Sequence, residues 1–278
     1  MDFRAACVIG WPVEHSRSPL IHDYWIRQFG LQAAYRLEAV PPERFTDFVG
    51  HLAEHGYVGA NVTVPHKEAA LQLSAPDALA AAVGAANTLW LEAGVLRSTN
   101  TDIEGFVASL DAGVPGWAEA ESAVVLGAGG AARAIVSGLL ERGLRRVHVV
   151  NRSLDRAVAM RQRFGDRVVP SGWEFRNDLL VGAGLLVNTT TLGMAGQPPL
   201  EVDLAPLAAG AIVADIVYAP LVTPLLAAAG ARGLRTVDGL GMLLHQAAGA
   251  FVRFFGLRPQ VTEGLRALVE ADLMRQRP

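Results

Sequence analysis

Cysteine is almost missing from this sequence: Cys7 is the only one in 278 residues. One thiol excludes any disulfide within the chain and suits a reducing compartment, so a cytoplasmic location is expected. Charge is also sparse, at 18% against 51% hydrophobic residues, and the net charge is only −3. That balance belongs to a folded globular chain and argues against disorder. No run of Lys or Arg stands out, which gives no reason to expect nucleic acid as a partner. No apolar run of membrane-spanning length is left unbroken. The most apolar region, 204–229, is interrupted by Asp215 and by Pro206, Pro220 and Pro224. A span needs about 20 mostly apolar residues, so buried strands and a core helix are expected there. The opening residues run straight into an apolar strand, not into a signal-peptide pattern. Solenoid-length repeats and low-complexity tracts are missing. The histidines show no close ligand spacing and Cys7 stands alone, so no metal site is expected. Length remains, and it suffices for two ordinary domains.

What is present is alternation. Strands are predicted over 5–9, 34–39 and 57–62, with helices over 19–29 and 42–55. Pro19 is placed at the first helical position, with Ser18 as its cap. Short helices are expected over 66–73 and 77–83, then paired strands over 87–91 and 95–97, then a helix over 101–112. Gly113-Val-Pro-Gly116 breaks the pattern, which then restarts. Strands over 123–126, 147–150, 185–188, 212–217 and 235–237 enclose helices over 131–142 and 154–164. Apolar helices over 240–255 and 261–274 end the chain. Such repetition implies largely parallel sheets with helices on both faces. The fold expected is therefore α/β in two domains. One covers 1–103 and is completed by the returning helices of 240–278. The other covers 104–239 and is of the doubly wound Rossmann type.

Gly127, Gly129 and Ala132 occupy the three places of G-x-G-x-x-G/A, with a strand before and a helix after. Gly127 permits the tight turn, Gly129 lets a pyrophosphate approach the backbone, and Ala132 lets helix and strand pack closely. The helix start then offers unpaired N–H groups and partial positive charge to phosphates. The next strand ends at Asn151-Arg-Ser-Leu-Asp-Arg156, where an NAD-binding unit places an acid on the ribose. Asn151, Arg152, Ser153 and Arg156 would instead bind a 2′-phosphate. NADP is therefore the cofactor expected, with Asp155 turned elsewhere on its helix.

The first half holds a polar constellation. Ser16 and Ser18 stand near a helix start. Asn61, Thr63 and Lys67 follow a strand, where open α/β sheets carry ligand groups, and alternation aims Asn61 and Thr63 the same way. Lys67 sits after Pro65 in an otherwise uncharged stretch. Asn87 precedes a strand, and Asp102 either caps a helix or works with Lys67. A lysine and an aspartate here, with a dinucleotide cradle later, describe hydride transfer accompanied by proton transfer.

These segments, in this order, resemble the shikimate dehydrogenase family: HSRSP, NVTVPHK, AANTL, NTD, GAGGAAR, NRS, NTTTLGM, DIVYAP and DGLGMLLHQA. The resemblance covers nearly the whole chain. It implies NADP-dependent, reversible reduction of 3-dehydroshikimate to shikimate in aromatic amino-acid biosynthesis. It also implies an N-terminal substrate domain, an NADP domain, and an active site in the cleft between them. By the same resemblance Lys67 and Asp102 are the acid–base pair. Ser16 and Ser18 hold the substrate carboxylate, and Asn61, Thr63, Asn87 and Gln246 hold its hydroxyls and carboxylate, with Tyr218 a further substrate residue. Gly127, Ala128, Gly129, Gly130, Ala131, Asn151, Arg152, Ser153 and Arg156 become the cofactor site. Thr189, Thr190, Gly239 and Met242 border the nicotinamide. The chain departs from the family's usual pattern at His66, Ser153 and Thr189-Thr-Thr191, and His66 adds a titratable group beside Lys67. A quinate or aminoshikimate dehydrogenase, or a non-catalytic NADP-binding sensor, would share much of this pattern. A small-molecule substrate is expected as partner, and oligomeric state is left open, a homodimer included.

Overall fold

A computed structural model describes residues 3–275. The chain divides into two compact units, Met1–Asp102 with Leu243–Asp272, and Ile103–Met242 with Leu273–Pro278.

In the first unit, β1 (Arg4–Gly10), β2 (Ala33–Ala39) and β3 (Tyr57–Val62) are joined by α1 (Ser18–Gln28) and α2 (Pro42–Gly50). Then come α3 (Lys67–Gln72), β4 (Ala75–Pro76), α4 (Ala78–Val83), β5 (Thr88–Glu92) and β6 (Val95–Thr99). The sheet order is β2-β1-β3-β5-β6-β4. It is mixed: β1 lies parallel to β2 and β3, while β5 runs antiparallel to both β3 and β6. The strands expected to pair over 87–91 and 95–97 form the β5–β6 hairpin around Ala93 and Gly94, both at positive φ. Ser18 is not a cap. It opens α1, and its N–H is taken by the Ser16 hydroxyl at 3.3 Å. The second helix stops at Gly50, well short of His55, and residues 51–56 turn into β3. Asp77 does cap α4, accepting from the Ala80 N–H at 2.9 Å.

In the second unit, α5 (Asp102–Gly113) leads to β7 (Ser122–Leu126), α6 (Gly130–Glu141), β8 (Arg146–Asn151), α7 (Leu154–Phe164) and β9 (Val168–Gly172). Next come β10 (Leu185–Asn188), β11 (Ile212–Asp215), α8 (Pro224–Ala231) and β12 (Arg235–Val237). The order β12-β11-β10-β7-β8-β9 is parallel throughout, a doubly wound sheet that reverses direction between β7 and β10. Both faces are buried. Ala123, Val125, Val147, Val149, Leu185 and Val187 pack on α5, α6 and α7, while Val124, Leu126, Val150, Leu186 and Val213 pack under α8. Two-sided burial is why these strands read as continuous apolar runs. The division between units falls inside α5 and again inside α9 (Gly239–Phe255), after which α10 (Glu263–Arg275) closes the described chain. Among the described residues no helix is long and apolar enough to cross a membrane.

Candidate active site

Within the first unit several of the polar residues form a hydrogen-bonded network. Lys67 is the first residue of α3, and Asp102 is the first of α5. Lys67 Nζ donates to Asp102 Oδ2 at 2.5 Å, with the two side chains 17% and 7% exposed. This enclosure sets the pair apart from a solvated surface ion pair, which contributes little. The other oxygen, Asp102 Oδ1, accepts from Asn87 Nδ2 at 2.9 Å. The Asn87 amide cannot be turned round, because its oxygen accepts the backbone N–H of Thr101 at 2.8 Å. Thr88 Oγ1 also donates to Asn87 Oδ1, at 3.0 Å, and accepts from Asn61 Nδ2 at 3.2 Å. Asn61 Nδ2 donates again to the Asn87 carbonyl at 3.3 Å, and Asn61 Oδ1 accepts from the Tyr35 hydroxyl at 2.6 Å. Apart from these, Ser16 Oγ donates to Ser18 Oγ at 3.2 Å.

This network brings together Asn61, Asn87, Asp102 and Lys67, while Ser16 and Ser18 bond to each other apart from it. Thr63 and Gln246 belong to the same unit but stand outside it. Thr63 lies just past β3 with its methyl against Gly10. Gln246 Nε2 donates to the Leu243 carbonyl of its own helix at 2.9 Å. Four further members are not singled out by the sequence reading. Thr88 and Thr101 sit inside the quoted motifs and are open to inference from them. So is Arg17, which pairs with Asp272 on α10 at 2.8 Å and donates to the His15 carbonyl at 2.9 Å, pinning the serine loop. Tyr35, on a distant strand, has no local signal. One compositional signal also exists: Lys67 is the only lysine in the chain.

The chemistry of this arrangement follows from its donors. An ammonium has three N–H donors. One goes to Asp102, which leaves two for an incoming oxygen. His66 does not compete for that role. Its ring is buried, stacked on Phe45 at 4.2 Å, and Nε2 lies 2.7 Å from the Val40 carbonyl. A carbonyl only accepts, so Nε2 carries a hydrogen. Burial lowers the His66 pKa from its usual value, outweighing that bond. A lowered histidine is neutral throughout the range above its unfolded pKa and charges only in acid. His66→Phe is therefore expected to leave the shape of the kcat–pH profile above neutrality unchanged. A profile displaced by as much as about one pH unit would show that His66 couples to Lys67.

The second unit supplies a different surface. The reversal point of the sheet puts the loops after β7 and β10 side by side. Gly127 has φ of +109°, and a Cβ there would lie 2.5 Å from Thr189 Oγ1. Glycine is required on both counts. Ala132 is fully buried against the sheet, whereas a Cβ on Gly129 would meet nothing within 4 Å. Gly129 is the N-cap of α6 and gives no side-chain cap. The N–H groups of Gly130 and Ala131 at that helix start have no partner within the helix. Asn151 ends β8 and donates to the Ser153 carbonyl at 2.9 Å. Arg152, Ser153 and Arg156 are exposed around the start of α7, and neither guanidinium is paired with a described residue.

Asn188 and Asp215 brace the loops beside this surface. Asp215 accepts from Asn188 Nδ2 at 2.9 Å, Thr223 Oγ1 at 2.8 Å and the Val217 N–H at 3.0 Å. The last bond ends β11 at Asp215, earlier than the expected residue 217. Asn188 Oδ1 in turn accepts from the N–H and hydroxyl of Thr190 at 3.0 and 2.7 Å. Burial pushes the Asp215 pKa up to about 6 against those hydrogen bonds. Tyr218 follows on the same loop, half-buried. Gly239 allows the start of α9 to meet the backbone, since a Cβ there would lie 2.2 Å from the Ile216 carbonyl oxygen. Met242 packs into the core of this unit.

An open glycine turn, an uncapped helix start and two unengaged guanidiniums fit a dinucleotide carrying an extra phosphate. Comparison with known proteins agrees with that fit. The family model described as shikimate dehydrogenase substrate binding domain matches residues 8–89. That of shikimate / quinate 5-dehydrogenase matches 110–171, and that of shikimate 5'-dehydrogenase C-terminal domain matches 239–269. The chain is 65% identical over 270 residues to the shikimate dehydrogenase (NADP(+)) of Rhodopseudomonas palustris (strain TIE-1), covering 97% of each. It also resembles the crystal structure of shikimate 5-dehydrogenase from Thermus thermophilus in complex with NADP(H) and shikimate. There the TM-score is 0.84 and identity 35%, over 98% of this chain and 99% of that one. A quinate dehydrogenase from Corynebacterium glutamicum in complex with NAD is similar too, with a TM-score of 0.89 and 30% identity over 97% of this chain and all of that one. On identity of this order across nearly its full length, the chain belongs to the shikimate dehydrogenase family.

Proposed function

We propose that this chain is an NADP-dependent shikimate dehydrogenase, reducing 3-dehydroshikimate reversibly to shikimate in the cytoplasm. The observation that carries the reading is the enclosed Lys67–Asp102 pair, locked to Asn87. Bound NADPH would supply the hydride. Lys67 then gives a proton to the alkoxide oxygen as the ketone is reduced, and takes it back in the oxidation direction. General acid–base help of this kind contributes about 10²–10⁴-fold. Asp102 accepts from the reacting hydroxyl and holds Lys67 in place, while the Asn87 amide, fixed by the Thr101 N–H, keeps the carboxylate from rotating. Ser16 and Ser18 receive the substrate carboxylate. Thr63, Gln246 and Tyr218 complete the substrate contacts. Gly127–Ala131 hold the cofactor's pyrophosphate, and Asn151, Arg152, Ser153 and Arg156 hold its 2′-phosphate. Thr189, Thr190, Gly239 and Met242 border the nicotinamide.

The rival is quinate oxidation with NAD, favoured by the structural likeness to a quinate dehydrogenase bound to NAD. The arginines after β8 and the serine pair favour shikimate and NADP. A non-catalytic sensor would have no use for the Lys67–Asp102 pair. Initial rates with shikimate or quinate, each with NADP⁺ or NAD⁺, distinguish these readings. The highest kcat/KM is expected for shikimate with NADP⁺. A higher value for quinate would move the chain to the rival activity, and no turnover with any pair would leave the sensor.

A further inference from the structure

We propose that Gly10 is a substrate-positioning residue: the space it leaves at the end of β1 seats the Thr63 methyl and so keeps the Thr63 hydroxyl free for the substrate. This role rests on the shikimate reading and adds a residue to it.

The backbone of Gly10 gives no reason for glycine. Gly10 is buried in β1, in register with Ala39, and its φ lies outside the left-handed region. Any residue adopts an ordinary strand conformation. Space is what forbids a side chain here. A Cβ at Gly10 would lie 2.4 Å from Thr63 Cγ2 and 3.2 Å from Val13 Cβ and Cγ2. These two approaches differ in kind. Val13 would need to give by a few tenths of an ångström, whereas carbon atoms pack best at about 3.5–4.0 Å. The Thr63 methyl is therefore the group that only glycine admits.

The two backbones are pinned against moving apart. The Thr63 N–H donates to the Ile9 carbonyl at 2.9 Å, and the Trp11 N–H to the Val64 carbonyl at 3.1 Å. On the other side of β1 the Val40 N–H donates to the Gly10 carbonyl at 3.1 Å. The Thr63 carbonyl accepts the His66 N–H at 2.9 Å, in the turn that leads to Lys67. What stays adjustable is the Thr63 χ1 torsion, which has three staggered positions. With the methyl in the Gly10 notch, the hydroxyl is left over. It makes no hydrogen bond to another described residue. The hydroxyls of Thr88, Thr101, Thr189 and Thr190 are all spent within the protein. Thr63 keeps its own, two residues after Asn61 and four before Lys67.

A methyl added at Gly10 should act through that torsion. The methyl and hydroxyl of Thr63 share one Cβ, so turning the methyl out of the notch carries the hydroxyl elsewhere. Gly10→Ala is expected to raise the shikimate KM about tenfold, the size of one lost hydrogen bond. The kcat and the NADP⁺ KM should stay within about threefold of the wild type, because the pinned backbone leaves Lys67 in place. Thr63→Val keeps the seated methyl and deletes the hydroxyl, and a similar tenfold rise is expected. Thr63→Ser deletes the methyl and keeps the hydroxyl. Gly10→Ala added to Thr63→Ser should therefore raise KM less than about threefold beyond Thr63→Ser alone. A tenfold penalty persisting in the Thr63→Ser background would overturn the proposal, as would an unchanged shikimate KM in Gly10→Ala or Thr63→Val. Lowered Tm, kcat and cofactor affinity together in Gly10→Ala, with or without Thr63→Ser, would assign the glycine to the fold instead. Should Gly10→Ala alone not fold, the double variant and Thr63→Val carry the test by the same criteria. If the wild type fails to oxidise shikimate at all, the underlying reading falls. If it does so and Gly10→Ala matches it, only the positioning role falls.

Discussion

Lys67→Ala is expected to lower kcat for shikimate oxidation by about 10²-fold or more, while the affinity for shikimate weakens far less. The reason lies in where the amine sits. Its charge is enclosed beside Asp102 at 2.5 Å, and two of its donors are uncommitted. Removing it deletes the proton donor for the alkoxide, a group that matters most in the transition state. Asp102→Asn should also lower kcat strongly. It keeps the shape but presents an amide where Lys67 and Asn87 both need an acceptor. The composition offers a second route to the same answer. Lys67 is the only lysine, so an amine-directed reagent has one side chain to find. Stoichiometric modification of the ε-amine should abolish turnover, and bound shikimate should slow the modification. Peptide mapping would separate it from reaction at the N-terminal amine. Near-normal turnover in Lys67→Ala, or full activity after complete labelling at Lys67, would remove Lys67 from the chemistry.

Why some of this is legible in the sequence, and some not, comes down to the range of the interactions. The Rossmann-type unit announces itself because each parallel strand is buried on both faces and each glycine of the turn has a local steric job. β9 is missing from the predicted strands because Val168–Gly172 contains Pro170 and ends in glycine. A proline argues against a strand in mid-sheet, but β9 pairs only with β8, and an edge tolerates it. In the first unit the β5–β6 hairpin is legible, whereas the antiparallel β3–β5 pairing is hidden because helices separate those two strands and alternation suggests parallel neighbours. β5 and β6 lie beside each other without a helix between them. In the candidate site, Lys67, Asn87 and Asp102 lie in motifs with recognisable order. Tyr35 does not, since its partner Asn61 lies on another element. Ser18 reads as a cap because cap statistics weigh residue type, whereas the neighbouring Ser16 hydroxyl takes the N–H of Ser18 itself. His66 looks like a second titratable group beside Lys67 from sequence adjacency alone. At the N-cap of α3 its ring turns away to Phe45 and the Val40 carbonyl.

Loss of either guanidinium after β8 is expected to weaken NADP binding by roughly ten- to a hundredfold while NAD binding barely changes. Charge-assisted hydrogen bonds to a phosphate are each worth about 1.5–3 kcal/mol, and about 1.4 kcal/mol is a factor of ten. The structure favours the lower part of that range, because Arg152 and Arg156 are exposed and salt screens exposed charges. It also favours the effect being specific. Neither guanidinium is engaged by another described residue, so removing one breaks no contact that supports α7. Asn151 stands where an acid would bond the ribose hydroxyls of NAD, and its side chain is already turned to the Ser153 carbonyl. Nothing in the loop would therefore reward NAD when the arginines are gone. The measurement is KM or Kd for both cofactors in Arg152→Ala and Arg156→Ala at one fixed ionic strength. The NADP effect should shrink as salt is raised, which a packing role would not do. Equal losses for NADP and NAD would mean that the arginines stack on the adenine or support the fold. A wild-type preference for NAD would refute the phosphate reading of the loop, and with it the strongest argument separating this chain from an NAD-dependent quinate dehydrogenase.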